Sequence, residues 1–121
     1  MKLLEDKILE EGIVLEGDIL KVDGFLNHQI DIPLMEALGR DMAEHFRNQG
    51  VTKVMTIESS GIAPAVFTAK YLEVPLVVLK KQAAKNLRTE VWQTEVVSYT
   101  KDISYDLTLA RDYLSDGDHV L

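Results

Sequence analysis

The stretch Val51-Thr52-Lys53-Val54-Met55-Thr56-Ile57-Glu58-Ser59-Ser60-Gly61-Ile62-Ala63-Pro64-Ala65 decides the fold. Its first half is β-branched and largely apolar, as expected of a strand covered on both faces. The second half drops into a small polar turn and opens an apolar helix, predicted from about Ile62 to Leu72, with Pro64 tolerated near its start. Pro75-Leu76-Val77-Val78-Leu79 then reads as a second buried strand. Upstream, Asp31 is an N-cap candidate and Pro33 sits in the first turn, followed by Met35, Leu38, Met42 and Phe46 at helical spacing, with Gly50 as the stop. Helix, strand, helix, strand at these lengths is a right-handed crossover unit, so the predicted class is α/β with a parallel sheet flanked by helices.

Outward from this unit the signals weaken. Met1 to Glu11 spaces Leu3, Leu4, Ile8 and Leu9 as a short amphipathic helix ending at Gly12, and Ile13 to Val22 reads as short strands or a loop around Gly17. Lys80 to Thr89 carries Lys80, Lys81, Lys85 and Arg88 without an acid and reads as a mobile loop. Glu95 to Thr100 and Leu107 to Tyr113 are expected to pair as an antiparallel hairpin or flap. After the turn Ser115-Asp116-Gly117-Asp118, a new apolar run begins at His119-Val120-Leu121. Asp102, Asp106, Asp112, Asp116 and Asp118 read as solvated turn and edge residues, and Trp92, Met35 and Met42 as packing candidates.

The 121 residues hold 46% hydrophobic residues and a net charge of −7, enough for one core and without the broad basic face of a duplex nucleic-acid binder. No apolar run approaches the ~18 residues that span a bilayer. Acids interrupt Met1-Lys2-Leu3-Leu4-Glu5-Asp6-Lys7 where a signal peptide turns apolar. The protein is therefore expected to be neither membrane-spanning nor secreted. There are no cysteines, which removes thiolate catalysis and disulfides and is compatible with a cytoplasmic location; His28, His45 and His119 form no pair at metal-ligand spacing.

Three segments could carry chemistry. Ser59-Ser60-Gly61, at the carboxyl end of a parallel strand, can present consecutive N–H groups and a helix N-terminus to phosphate oxygens, or a serine there can simply cap the helix. Lys80 and Lys81 fall on the same rim, either as an anion-binding pair or as part of a solvated basic loop. In Val22-Asp23-Gly24-Phe25-Leu26-Asn27-His28-Gln29-Ile30-Asp31, Asn27 could pair with a planar heterocycle while Leu20, Phe25 and Leu26 cover a ring face. The same apolar residues could equally be core, with Asn27-His28 a turn.

These last ten residues, together with Thr56 to Ala65 and Leu114-Ser115-Asp116-Gly117-Asp118-His119-Val120-Leu121, closely resemble the bacterial xanthine phosphoribosyltransferases, of the type I phosphoribosyltransferase fold. The likeness runs in order along the whole chain; Glu58-Ser59-Ser60-Gly61 is also close to the corresponding loop of adenine phosphoribosyltransferases. It implies a base-binding hood over 1–30 and the N-terminal part of an α/β core over 31–121, including a flexible loop at 82–94. It also implies formation of xanthosine 5′-monophosphate and diphosphate from xanthine and 5-phospho-α-D-ribose 1-diphosphate, in purine salvage. Leu20 and Asn27 match base-binding positions, Ser59, Ser60, Gly61 and Lys81 match diphosphate-binding positions, and Lys85 and Arg88 lie in the loop that folds over the site. Mg²⁺ is implied as a passenger on the phosphoribosyl diphosphate, with no metal site on the chain, and a homodimer is implied.

The resemblance is incomplete. In the family, four apolar residues of a strand lead into two adjacent acids and a small-residue turn that cradles the ribose 5-phosphate, and a later lysine contacts the base. Val120 and Leu121 match the first two apolar residues, and the rest of that motif is not among these 121 residues. The chain alone is expected to be inactive. The alternatives are another purine phosphoribosyltransferase, for adenine or for guanine and hypoxanthine, or a non-catalytic nucleotide-sensing module of the same fold.

Overall fold

The computed structural model describes residues 1–81, 90–97 and 104–121. Helix α1, Lys2–Glu11, ends where Gly12 leaves the helical region, and a small hairpin follows from β1, Ile13–Leu15, to β2, Ile19–Lys21. Gly17 and Asp18 make its turn with φ of 79° and 58°, the left-handed pair that suits the twist of a tight hairpin. Helix α2, Ile32–Phe46, starts as the sequence predicts: the Asp31 carboxylate accepts the N–H of Leu34 at 3.1 Å and Pro33 occupies the first turn. Lys7 of α1 reaches the other oxygen of the same cap at 2.9 Å, so α1 is fastened to the start of α2.

Strand β3, Val54–Ile57, leads through helix α3, Ile62–Leu72, to strand β4, Leu76–Leu79, which pairs parallel with β3 from Val54↔Leu76 to Ile57↔Leu79. Beyond β3 the chain end adds a further parallel segment: Val120 bridges Lys53, Leu121 donates to the Lys53 carbonyl at 3.0 Å, and Met55 donates to the Leu121 carbonyl at 2.8 Å. On the other side of β4, Lys80 and Thr108 exchange backbone hydrogen bonds at 3.0 and 2.8 Å. That bridge attaches an antiparallel ribbon of β5, Val91–Val97, and β6, Ser104–Ala110, closed by a single 3₁₀ turn at Arg111–Tyr113.

Several expectations shift. The ribbon is displaced from its predicted place: β5 begins at Val91 rather than Glu95, β6 begins at Ser104 rather than Leu107, and Arg111 to Tyr113 turn as a 3₁₀ helix instead of extending the strand. Val91 to Thr94, read as the end of the flexible loop, belong to β5, where they pair with Leu107 to Ala110. β3 is not sheathed on both faces among the described residues: Val54 is buried, Met55 and Thr56 are half-buried and Ile57 is 41% exposed. Trp92 is not a core residue but lies half-exposed under the Arg111 guanidinium, 4.2 Å from the ring centre. Of the two methionines, Met35 is fully buried, whereas Met42 is partly exposed and accepts the Thr68 hydroxyl at its sulfur.

Two apolar clusters organise the fold. Phe25, Leu34, Met35 and Leu38 are buried together with Leu4 and Ile8 of α1 and Phe67 of α3 packed against them, which binds the first 30 residues to the helical layer. Val54, Ala65 and Ala69 form the second, where α3 meets β3 with Leu76 and Leu121 alongside. Each fully buried Phe or Leu contributes roughly 1.5–3 kcal/mol. Gly39 lets α2 and α3 approach until the position of its missing Cβ overlaps Phe67 and the backbone of Thr68. Tyr71 of α3 donates to Glu36 at 2.7 Å and accepts from Arg40 at 3.0 Å, closing the exposed edge of the same contact.

Candidate functional site

The turn that follows β3 is built from residues too small to fill the space above it. The Glu58–Ser59 peptide bond is cis. Ile62 donates to the Ser59 carbonyl at 3.1 Å, and the N–H groups of Ser60 and Gly61 meet no protein acceptor among the described residues. Gly61 is the N-cap of α3 and no side chain caps this helix, so neither serine is spent in that role. The two serines and the two amides thus lie at the N-terminal end of an 11-residue helix, where its dipole is positive. The glycine is required for room rather than for backbone freedom: its φ is −75°, but a Cβ would overlap the Thr56 hydroxyl.

Opposite this turn stands the loop 22–31, wound on its own backbone. His28 and Gln29 both donate to the Asp23 carbonyl, at 3.0 and 2.9 Å, and Asp31 donates to Phe25 at 2.9 Å. Phe25 points into the core, 2% exposed, and so cannot cover a ligand ring. Beyond it Asn27 and Ile30 are exposed and Leu26 is half-buried against the same core. These three form one wall of a cavity of about 310 Å³ whose other wall is Ser59, Ser60, Ile62 and Ala63. Asn27, Ser59 and Ser60, separated by more than 30 positions in the chain, therefore share one space.

Leu20 does not join them. It sits on β2 of the hairpin, 43% exposed, with its side chain against Gly12. Lys85 and Arg88 lie outside the described residues.

Lys81 is not in the cavity wall but is tied to Glu58, the residue before Ser59. Its backbone N–H donates to the Glu58 carboxylate at 2.6 Å, and its ammonium sits 5.3 Å from the ring centre of Tyr105 on β6. Lys80 approaches the other Glu58 oxygen at 3.4 Å. The Lys81 N–H is the main cause that holds the Glu58 carboxyl below its ordinary range; partial burial opposes it and Lys80 assists. Among the described residues no three His, Asp or Glu side chains converge as metal ligands.

Two residues escaped sequence reasoning. Glu58 is visible in the motif but its bond to Lys81 crosses between strands. Asp118, expected to be solvated, instead accepts Lys53 Nζ at 2.6 Å, the Ser115 N–H at 2.7 Å and the Thr52 hydroxyl at 2.9 Å. Only the Ser115 contact is local enough to have left a signal in the sequence.

No family model matches the chain. Curated relatives named xanthine phosphoribosyltransferase match all 121 residues: one from Agathobacter rectalis at 54% identity, one from Listeria innocua at 50% and one from Clostridium botulinum at 49%. The chain spans 63 to 64% of the length of these relatives. Among solved structures, adenine phosphoribosyltransferase from Giardia lamblia, in complex with 9-deazaadenine, superposes with a TM-score of 0.72 at 20% identity, over 97% of this chain and 64% of that one. The Rhodothermus marinus adenine phosphoribosyltransferase gives 0.69 at 17% identity, over 99% and 68%. No described helix is long and apolar enough to cross a membrane. All 121 residues of the chain are similar to relatives named xanthine phosphoribosyltransferase, and its fold is that of the type I phosphoribosyltransferases.

Proposed function

We propose that this chain supplies the base hood and the diphosphate loop of a xanthine phosphoribosyltransferase. The observation that carries it is the shared cavity of about 310 Å³, whose lining includes Asn27 together with Ser59 and Ser60. An amide that both donates and accepts suits the edge of an oxidised purine, and Leu26, Ile30 and Ile62 suit its faces. Ser59, Ser60 and Gly61 bind the diphosphate through hydroxyls and unspent amides, with Lys81 at the rim. Leu20, matched to a base-binding position by resemblance, reaches the base only if the hairpin shifts toward the cavity.

The reaction is a substitution at the anomeric carbon: the bond from carbon to the diphosphate oxygen breaks, a ring nitrogen of xanthine bonds to that carbon, and the nitrogen's proton is lost. The protein needs no nucleophile of its own. It must hold the base in line and stabilise the charge that grows on the departing diphosphate, which is what preorganised N–H groups at a helix N-terminus do best. Mg²⁺ carried by the phosphoribosyl diphosphate would offset part of that substrate's charge. Water competes with the base and must be kept from the ribose, the task that the resemblance gives to the segment holding Lys85 and Arg88.

A cytoplasmic homodimer belongs to the same proposal. The absence of cysteine fits a reducing compartment, and the exposed Ile13, Val14, Leu15 and Ile19 of the hairpin offer a second subunit an apolar surface.

Titration with xanthine and with inorganic diphosphate, followed through the amide resonances of Asn27 and of Ser59 to Ile62, tests the assignment. Xanthine is expected to move Asn27 and diphosphate to move Ser60 and Gly61. Adenine binding in preference to xanthine, or no response to either ligand, would overturn it.

A further inference from the structure

A carboxylate beside an anion site is a liability, because it repels the ligand unless another role holds it there. Glu58 immediately precedes Ser59-Ser60-Gly61, and its own N–H donates to the Leu79 carbonyl at 3.1 Å, across the ends of the two parallel strands. Its side chain then reaches one step further along the neighbouring strand's exit, accepting the N–H of Lys81 at 2.6 Å. Lys80 is already fixed, since its backbone N–H and carbonyl are both paired with Thr108 of β6. Lys81 is thus the first residue past the sheet, and among the described residues its backbone is held by Glu58 alone.

We propose that Glu58 is a positioning residue for diphosphate binding, acting through Lys81: its carboxylate locks the Lys81 backbone to the start of the diphosphate turn, so that the ammonium and the turn present one surface. The inference rests on the functional reading above. The carboxylate's charge is taken up by the Lys81 N–H and by Lys80, at 2.6 and 3.4 Å, which limits its repulsion of a bound anion. The Lys81 ammonium makes no hydrogen bond to this carboxylate among the described residues, and its charge is the least of the causes acting on the Glu58 carboxyl. The ammonium lies over the Tyr105 ring, a weak partner that a diphosphate oxygen displaces at little cost.

The alternative is that Glu58 merely ties strand ends together, in which case its loss lowers stability and leaves ligand affinity alone. A cycle measured on the full chain, with inorganic diphosphate as the probe and calorimetry as the readout, separates the two. Glu58→Ala is expected to raise the diphosphate Kd about tenfold, the scale of a lost charge-assisted hydrogen bond. Glu58→Gln, which keeps an acceptor for the Lys81 N–H, is expected to bind as tightly as the unsubstituted chain or tighter. In a Lys81→Met background the further change to Ala at position 58 is expected to alter Kd by less than about twofold, because the residue it acts through is gone. With selective ¹⁵N-lysine labelling, the Lys81 amide proton should move upfield in Glu58→Ala and stay in place in Glu58→Gln. An unchanged Kd in Glu58→Ala, a Gln variant as weak as the Ala variant, or an undiminished effect in the Lys81→Met background would each overturn the proposal. If the unsubstituted chain itself does not bind diphosphate, the functional reading fails and takes this inference with it.

Discussion

Lys53 Nζ lies 2.6 Å from the Asp118 carboxylate, an ion pair between the residue before β3 and the turn that delivers Val120 and Leu121 to β3's free edge. Both side chains are largely shielded, at 18% and 13% exposure. The Lys53 hydrogen bond, then the Ser115 N–H and the Thr52 hydroxyl, draw the Asp118 carboxyl from its ordinary 3.8 down to about 2. A depressed carboxyl stabilises the fold fully above its unfolded value and stops doing so as pH falls through its folded one. Stability should therefore decline from about pH 4 to about pH 2, and Asp118→Asn should flatten the slope in that window. Urea unfolding of both proteins at pH 4, 3 and 2 checks this; equal slopes would show that the pair does not titrate with folding. Other depressed carboxyls, at Asp31 and Glu36, are common to both proteins and cancel in the comparison.

Gly61→Ala tests whether the diphosphate turn depends on close packing under it. The added methyl overlaps the Thr56 hydroxyl, and the Ile57 carbonyl lies 3.8 Å away, so the turn must lift from β3. Overpacking of this kind costs typically about 1–3 kcal/mol. Because φ at Gly61 is ordinary for any residue, the cost should vanish when the obstacle is removed. Thr56→Ala in the same chain is expected to recover most of the stability and the diphosphate affinity. Thermal melts with calorimetry read both, and failure of the second substitution to rescue would place the cost in the backbone instead.

The helical frame was legible because its signals are local. Asp31 and Pro33 open α2, Gly12 closes α1, and the β-branched run at Val51 to Ile57 contains β3, Val54–Ile57. The candidate site was half legible: the small turn at Ser59 to Gly61 and Asn27 were both visible, but that they share a cavity depends on Phe25 being buried under α2. Leu20 shows the limit in the other direction, since a matching position in sequence does not fix how a short hairpin leans. Glu58 and Asp118 were opaque because their partners lie 23 and 65 residues away. A carboxylate's charge is plain in sequence, but whether it is solvated or paired is decided by the sheet.

Glu73 closes α3 in the left-handed region, with φ of 59°, while its N–H reaches back to the last turn of the helix. For a residue with a Cβ that conformation costs roughly 1–2 kcal/mol. Glycine avoids this cost but loses about 0.5–1 kcal/mol through the greater freedom of the unfolded chain. The first term is the larger, so Glu73→Gly should stabilise the protein by about 0.5–1 kcal/mol, and Glu73→Val should destabilise it. Equilibrium unfolding decides the sign. A loss on substitution by glycine would mean that the Glu73 side chain contributes more than its backbone strain costs.

Asn27 carries the base assignment, and its neighbours make the outcome of substitution readable. Leu26 and Ile30 stand beside it in the cavity wall, and Phe25, which anchors the loop, is buried away from the ligand space. Changing Asn27, which is exposed, should therefore leave the fold intact. Asn27→Leu keeps the volume but removes the donor and the acceptor, so a purine that relies on them leaves its own polar groups unpaired, at about 1–3 kcal/mol each. Xanthine affinity is expected to fall at least about tenfold, while the affinity for inorganic diphosphate, proposed to bind at the opposite wall, is expected to change less than about twofold. Parallel titrations of the two ligands against both proteins provide the check. Equal losses for both would show a collapsed cavity, and an unchanged xanthine affinity would remove Asn27 from the base site.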